Sequence, residues 1–405
     1  AKYGALPDTT PTGFFSAADP HALVPSVRDL FAAARLPKGE IVAGGASAAD
    51  YIVQASYDRQ QSSGNLRRYG VARGKNGEIS IATVPAWDAA QVLPSPSTRK
   101  IYTSVYDSDG RGAMVEFRWA SLPQAQRALF DIAGDGAGEA WADFLRGDRS
   151  RETGNAGGIF RRRSSALGDI VRSIPAIAGA PSASVQGAGY VNFHASARKR
   201  RAAVYVGAND GMLHAFDAAS GVELFAYVPA ALHSSLADLT TPGYVHRPYV
   251  DASAGPGEAL VGGRWRTVLA SGMGMGARGV FALDVTDPAN FSEGGGVLWE
   301  FTETDDAAIG HITSAPVIAK FRVGTKDGEH TYRYFVVVAS GINNYKPDDN
   351  EDAARGALFL LSLDKPASER WKRGVNYYKL VTPLSDSAFP NALAPPAFAL
   401  SPDGS

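Results

Sequence analysis

The sequence predicts an all-β fold: a β-propeller of four-stranded antiparallel blades, modified and interrupted by helical insertions. Three observations predict it. Short β-rich segments recur along most of the 405 residues, and many of the 44 glycines fall at their ends. One three-strand pattern is also written three times over, at a spacing of about 65–70 residues, as expected of a repeated supersecondary unit.

The elements follow in chain order. Residues 1–40 read as a lead-in. Pro7, Pro11 and Gly13 break any helix there, while His21 to Phe31 carries apolar residues at helical spacing and predicts a short amphipathic helix capped near Asp19. From Ile41 the period changes to that of strands, and residues 41–405 are assigned to the propeller. Tyr51 to Tyr57 alternates, Gly64-Asn65 turns the chain into Leu66 to Val71, and Asn76-Gly77 signals a hairpin before Ile79 to Val84. Arg99 to Val105 and Met114 to Trp119 flank the turn Asp107-Ser108-Asp109-Gly110, so antiparallel pairing is expected throughout this region. A helical insertion over about 122–170 interrupts it, with helices at Gln124 to Phe130 and Glu139 to Leu145. The Arg161-Arg162-Arg163 run that follows has no aromatic interleaving and reads as a solvated basic face.

Strands then resume as three copies of one theme. The first is Ala202 to Gly207, Met212 to Asp217 and Glu223 to Tyr227. The second is Thr267 to Gly272, Gly279 to Val285 and Val297 to Phe301; the third is Tyr334 to Gly341, Gly356 to Asp364 and Tyr377 to Val381. Each reads as an apolar strand ending in glycine, an apolar strand ending in aspartate, and an aromatic strand. A fourth strand is expected from Ser173-Ile174-Pro175, Arg247 to Asp251 and Ser314 to Ile318, where a proline at the strand start is tolerated. The Gly272-Met273-Gly274-Met275-Gly276 run lacks the lysine and helix of a phosphate loop and reads as a tight turn.

Composition narrows the function. Lys plus Arg is 40 and Asp plus Glu is 41, so no global field draws the chain to nucleic acid or anionic membrane. No apolar run reaches about 18 residues, so no membrane-spanning helix is expected. The absence of cysteine removes disulfides, thiolate metal sites and cysteine nucleophiles together. The start at Ala1 without a methionine reads as an excised or processed region.

The residues Tyr205-Val206-Gly207, Asp210-Gly211, Ala215-Phe216-Asp217 and Gly221 resemble the quinoprotein-type propeller repeat. Together with Tyr51 to Tyr57, Leu145 to Asp148, Leu167 to Pro175, Trp265 to Leu269 and Gly279 to Pro288, they occur in the order found in the PilC/PilY family. The chain resembles the C-terminal propeller region of that family of type IV pilus biogenesis factors and tip-associated adhesins, from roughly Tyr51 to Pro396. The resemblance implies a seven-bladed propeller, of which about five blades are traceable here. It also implies an exported protein at the pilus tip, outer membrane or cell surface, supporting pilus extension against retraction. Its implied partners are minor pilins, pilus-tip proteins and host-cell receptors, and its implied cofactor is calcium.

Calcium needs six to eight hard oxygen ligands. Asp348, Asp349, Asn350 and Asp352, with Glu351 between them, could supply several from one turn; the alternative is a solvated acidic loop tip. Asp107 and Asp109 alternate but read first as a hairpin turn. Arg146-Gly147-Asp148 matches an integrin-recognition tripeptide, and equally a helix stopped by Gly147. No histidine pair at i, i+4 suggests zinc, and His214 reads as a packed or rim residue. The expected function is therefore binding and assembly without catalysis. A quinone-dependent dehydrogenase is the enzymatic alternative, against which Phe225 stands where tryptophan is expected. A generic interaction scaffold is the third.

Overall fold

The computed structural model describes residues 40–75, 79–130, 137–185, 187–344 and 355–383, with Leu393 and Pro396. The lead-in helix, the Asn76-Gly77 turn and the acidic run Asp348 to Asp352 lie outside the described residues.

Four sheets follow one another along the chain. The first holds β1 (Glu40–Ser47), β2 (Tyr51–Asp58), β3 (Ser63–Arg73) and β4 (Ile79–Ile81), with β5 (Trp87–Asp88) paired to β3. The chain then makes β6 (Ile101–Tyr106), β7 (Gly112–Glu116) and two helices, Gln124–Phe130 and Gly138–Leu145. The second sheet is the meander β8 (Ala176–Ala178), β9 (Ala203–Ala208), β10 (Met212–Asp217) and β11 (Glu223–Val228). The third is β12 (Ala254–Val261), β13 (Arg264–Gly272), β14 (Gly279–Asp284) and β15 (Val297–Thr302). The fourth is β16 (Val317–Lys326), β17 (Glu329–Ala339), β18 (Ala357–Ser362) and β19 (Tyr377–Val381).

The first strands of successive sheets, β1, β8, β12 and β16, stand beside one another, as they do around a propeller axis. The inner strands β9, β10 and β14 are buried along their whole length on both faces, which is why the sequence shows apolar runs there rather than clean alternation. In β14, Val280 and Ala282 enter the core shared with the fourth sheet, while Phe281 and Leu283 enter the core shared with the second. A third core, around Val53, Leu66, Ile170, Val206 and Phe216, joins the first sheet to the second.

The described residues hold four sheets. Two expectations need correction. The first strand of the third sheet is not Arg247 to Asp251, which is irregular, but β12. Its Gly255 and Gly257 hid it, and crowding near the axis explains them. A Cβ on Gly255 would lie 2.2 Å from Pro316 O, and one on Gly257 would lie 3.2 Å from Ile318 Cβ. The second concerns the expected antiparallel pairing, which holds within the β6–β7 hairpin but not for its docking. The hairpin docks on the second sheet, with β6 parallel to β11 and Ile101 opposite Ala226, giving the order β7-β6-β11-β10-β9-β8.

Candidate functional site

The docking of β6 is fixed by charge. Arg99, just before β6, donates Nε and Nη2 to the two carboxylate oxygens of Glu223 at 2.7 Å each, where β11 begins. Both side chains are 1% exposed, so the pair holds the two strand starts level and sets the parallel register. Glu223 also meets His214 Nδ1 at 2.8 Å, and His214 Nε2 lies 3.1 Å from Asp210. Asp210 in turn accepts the Gly168 amide at 2.9 Å. Burial alone would lower His214, but Asp210 and Glu223 outweigh it and raise its pKa to about 9. Burial would raise Glu223, yet Arg99 and His214 hold it down at about 2. The result is a charged spine, shut inside the second sheet.

The Arg146-Gly147-Asp148 segment joins this spine. Gly138–Leu145 ends at Arg146, and Gly147 takes φ 109°, a left-handed turn that glycine adopts at least strain. Arg146 is buried and donates to the carbonyls of Phe117, Pro96 and Arg99 at 3.0, 2.8 and 2.6 Å. Its own carbonyl accepts Arg99 Nη1 at 2.8 Å. Asp148 caps the next turn by accepting the Ser150 amide at 2.8 Å. The tripeptide thus places its arginine inside the fold and its aspartate at the edge of a turn.

The Arg161-Arg162-Arg163 run is not a uniformly solvated face. Arg163 is buried, with Nε on Glu152 at 2.8 Å and its guanidinium 3.5 Å over the Phe144 ring. Arg161 gives Nε to Leu239 O at 2.6 Å and lies 4.5 Å over Tyr244, while Arg162 is exposed. These residues, with Arg149, line a cleft of about 750 Å³ that also borders the β2–β3 turn at Gln60 to Ser62. Burial lowers the pKa of Arg163 to about 10; Glu152 opposes the shift, and repulsion from Arg161 and Arg149 adds to it.

Among the described residues no group of three or more histidine, aspartate or glutamate side chains could hold a metal ion. The Asp107 carboxylate accepts the Asp109 and Arg111 amides at 2.9 Å each and so shapes a hairpin turn. Phe225 is buried and stacked on Phe291, ring centres 3.9 Å apart. His214 was legible as packed, and its partners Asp210 and Glu223 lie only 4 and 9 residues away; what was not legible is Arg99, 124 residues from the Glu223 it pairs with.

Successive antiparallel sheets meeting through their first strands place the chain in the β-propeller class. Residues 167–372 match the family model described as the PilY1 beta-propeller domain. The chain belongs to that family. The type IV pilus biogenesis factor PilY1 of Pseudomonas aeruginosa is 32% identical over 335 residues, covering 78% of this chain and 26% of the relative. A PilY1 homolog of Xylella fastidiosa is 45% identical over 193 residues, covering 45% of this chain and 15% of the relative. The crystal structure of the Pseudomonas aeruginosa PilY1 C-terminal domain aligns at 30% identity and a TM-score of 0.41, over 55% of this chain and 40% of that one. The chain therefore spans about a quarter of the Pseudomonas relative's length. No described helix is long and apolar enough to cross a membrane.

Proposed function

We propose that this chain serves type IV pilus biogenesis as the propeller portion of a pilus-associated protein, binding other pilus components rather than transforming a substrate. The observation that carries the proposal is the family match over residues 167–372, which runs from β8 to β18 and so covers most of three successive sheets. The buried Arg99–Glu223–His214 spine supports a rigid scaffold, because a fully satisfied charged network inside a low-dielectric core holds one arrangement. In this reading the protein is exported and works at the pilus tip or cell surface, with minor pilins and tip proteins as partners.

The test is genetic. Deleting the segment that encodes this chain in its native organism should abolish surface pili and twitching; unchanged piliation would end the proposal. Two finer parts have their own tests. Calcium held by Asp348, Asp349, Asn350 and Asp352 predicts a calorimetric calcium signal that Asp348→Ala and Asp352→Ala remove. Adhesion through Arg146-Gly147-Asp148 would rest on Asp148, since Arg146 is committed to three carbonyls. Host-cell attachment indifferent to Asp148→Ala would discard it.

A further inference from the structure

The arginine cleft plays no part in pairing the sheets. Its lining includes Arg149, Arg161, Arg162 and Arg163 and no aspartate or glutamate. One carboxylate, Glu152, stands behind it and takes Arg149 and Arg163 at 3.2 and 2.8 Å. Two guanidiniums are left over. Arg161 donates only Nε, to Leu239 O, and rests its guanidinium on the Tyr244 ring, which leaves its Nη groups without an anionic partner. Arg162 makes no hydrogen bond or ion pair among the described residues and is exposed. Unneutralised guanidiniums gathered in a concavity raise the local positive potential, and each offers a planar fork suited to an oxyanion.

The rest of the lining is neutral and polar: Gln60, Gln61, Ser62, Thr153 and Ser164 supply amides and hydroxyls. Such groups both donate and accept, as the hydroxyls of a sugar do. The volume of about 750 Å³ falls within the range of small-ligand sites, roughly 300–1,000 Å³. An acidic peptide would also be drawn to an arginine cluster, but it would leave the hydroxyls of Ser62, Thr153 and Ser164 and the amides of Gln60 and Gln61 without the dense set of hydroxyl partners that a sugar brings.

We propose that the cleft binds an acidic saccharide, with Arg161 and Arg162 taking its carboxylates and the neutral side chains taking its hydroxyls. Three segments far apart in sequence build the site: the β2–β3 turn, the loop from Arg149 to Ser164, and Pro242 to Tyr244. This binding is separate from the pilus role and does not depend on it.

The test is calorimetric titration of the full 405-residue chain with trigalacturonic acid, run beside galactotriose, hexaglutamate and inorganic phosphate. Trigalacturonic acid should bind and galactotriose should not. Arg162→Gln should weaken uronate binding by about tenfold to a hundredfold, the loss of one charge-assisted contact, and Arg161→Gln should do likewise. Arg162 supports nothing in the scaffold, so its variant keeps the fold and the comparison stays interpretable. Absence of uronate binding, or binding indifferent to both variants, would overturn the proposal. So would hexaglutamate or phosphate binding as tightly as the uronate, which would assign the cleft to an acidic peptide or to any small oxyanion.

Discussion

β10 and β14 occupy corresponding places in the second and third sheets, and they align as Met-Leu-His-Ala-Phe-Asp against Gly-Val-Phe-Ala-Leu-Asp. Their terminal aspartates behave alike: Asp217 pairs with Arg201 and accepts turn amides, and Asp284 pairs with Arg266 and does the same. The difference lies three residues earlier, where His214 stands in one strand and Phe281 in the other, both fully buried. Phe281 needs only apolar neighbours, and it finds Tyr227 at 5.1 Å. A histidine there needs hydrogen-bonding partners, and it has Asp210 and Glu223, the second shared with Arg99. The second sheet thereby gains a polar connection to β6 that the third lacks. One repeat position can serve either as core filling or as the anchor for an added strand pair, depending on whether its side chain requires a charged partner.

That contrast can be broken at its strongest point. Glu223→Gln leaves Arg99 and His214 buried without their shared carboxylate and should destabilise by about 3–5 kcal/mol, read as a shift in the denaturant midpoint. A shift below about 1 kcal/mol would show that the spine does not hold β6 in place. In the third sheet the weak point is steric. Gly272 ends β13 with no left-handed backbone, yet a Cβ on it would sit 2.2 Å from Ile312 O at the next sheet. Gly272→Ala should therefore cost about 3 kcal/mol by forcing the two sheets apart. An unchanged melting temperature would mean that this seam is looser than the geometry implies.

A pH-dependent effect, confined to one window, sharpens the comparison, because Glu300 of β15 reaches across to the second sheet. It accepts the Tyr227 hydroxyl and, at 2.8 Å, the Ala230 amide. Burial raises its pKa from 4.5 to about 7 even against those hydrogen bonds. Between these values Glu300 keeps a proton in the folded chain that it has lost in the unfolded chain, so its contribution to stability falls as pH rises through this window and is level outside it. Glu300→Gln should flatten that fall, which is on the order of 3 kcal/mol. The raised pKa of His214 acts in a separate window: its contribution is full below about 6.5 and is lost as pH rises through about 9. Identical slopes between pH 4.5 and 7 for variant and parent would refute the assignment to Glu300.

Much of the fold was legible in the residues themselves. β9, β10, β11, β13, β14, β15, β18 and β19 all lie where the repeated theme puts them, because apolar and aromatic runs, fullest in the wholly buried β9, β10 and β14, are detectable in any local window. β12 was misplaced because its glycines answer to crowding from Pro316 and Ile318, which belong to another sheet. Gly207 in β9 was read simply as a strand end, and Gly272 in β13 as part of a tight turn. Only the assembled sheets show that they admit a neighbouring carbonyl, Val250 O at 2.4 Å and Ile312 O at 2.2 Å from a Cβ placed there.

What the sequence by itself determined is the repeated unit: strand order within a sheet, the turn at each aspartate and the family to which the pattern belongs. These depend on side-chain period and turn chemistry, which act over a few residues. The tertiary structure decided which sheet receives β6, how Arg146 is used, and that Arg161 and Arg162 line a cleft with Gln60 and Gln61. Those outcomes depend on charges and carbonyls brought together from distant parts of the chain, and a charge carries no local mark of the partner that will neutralise it.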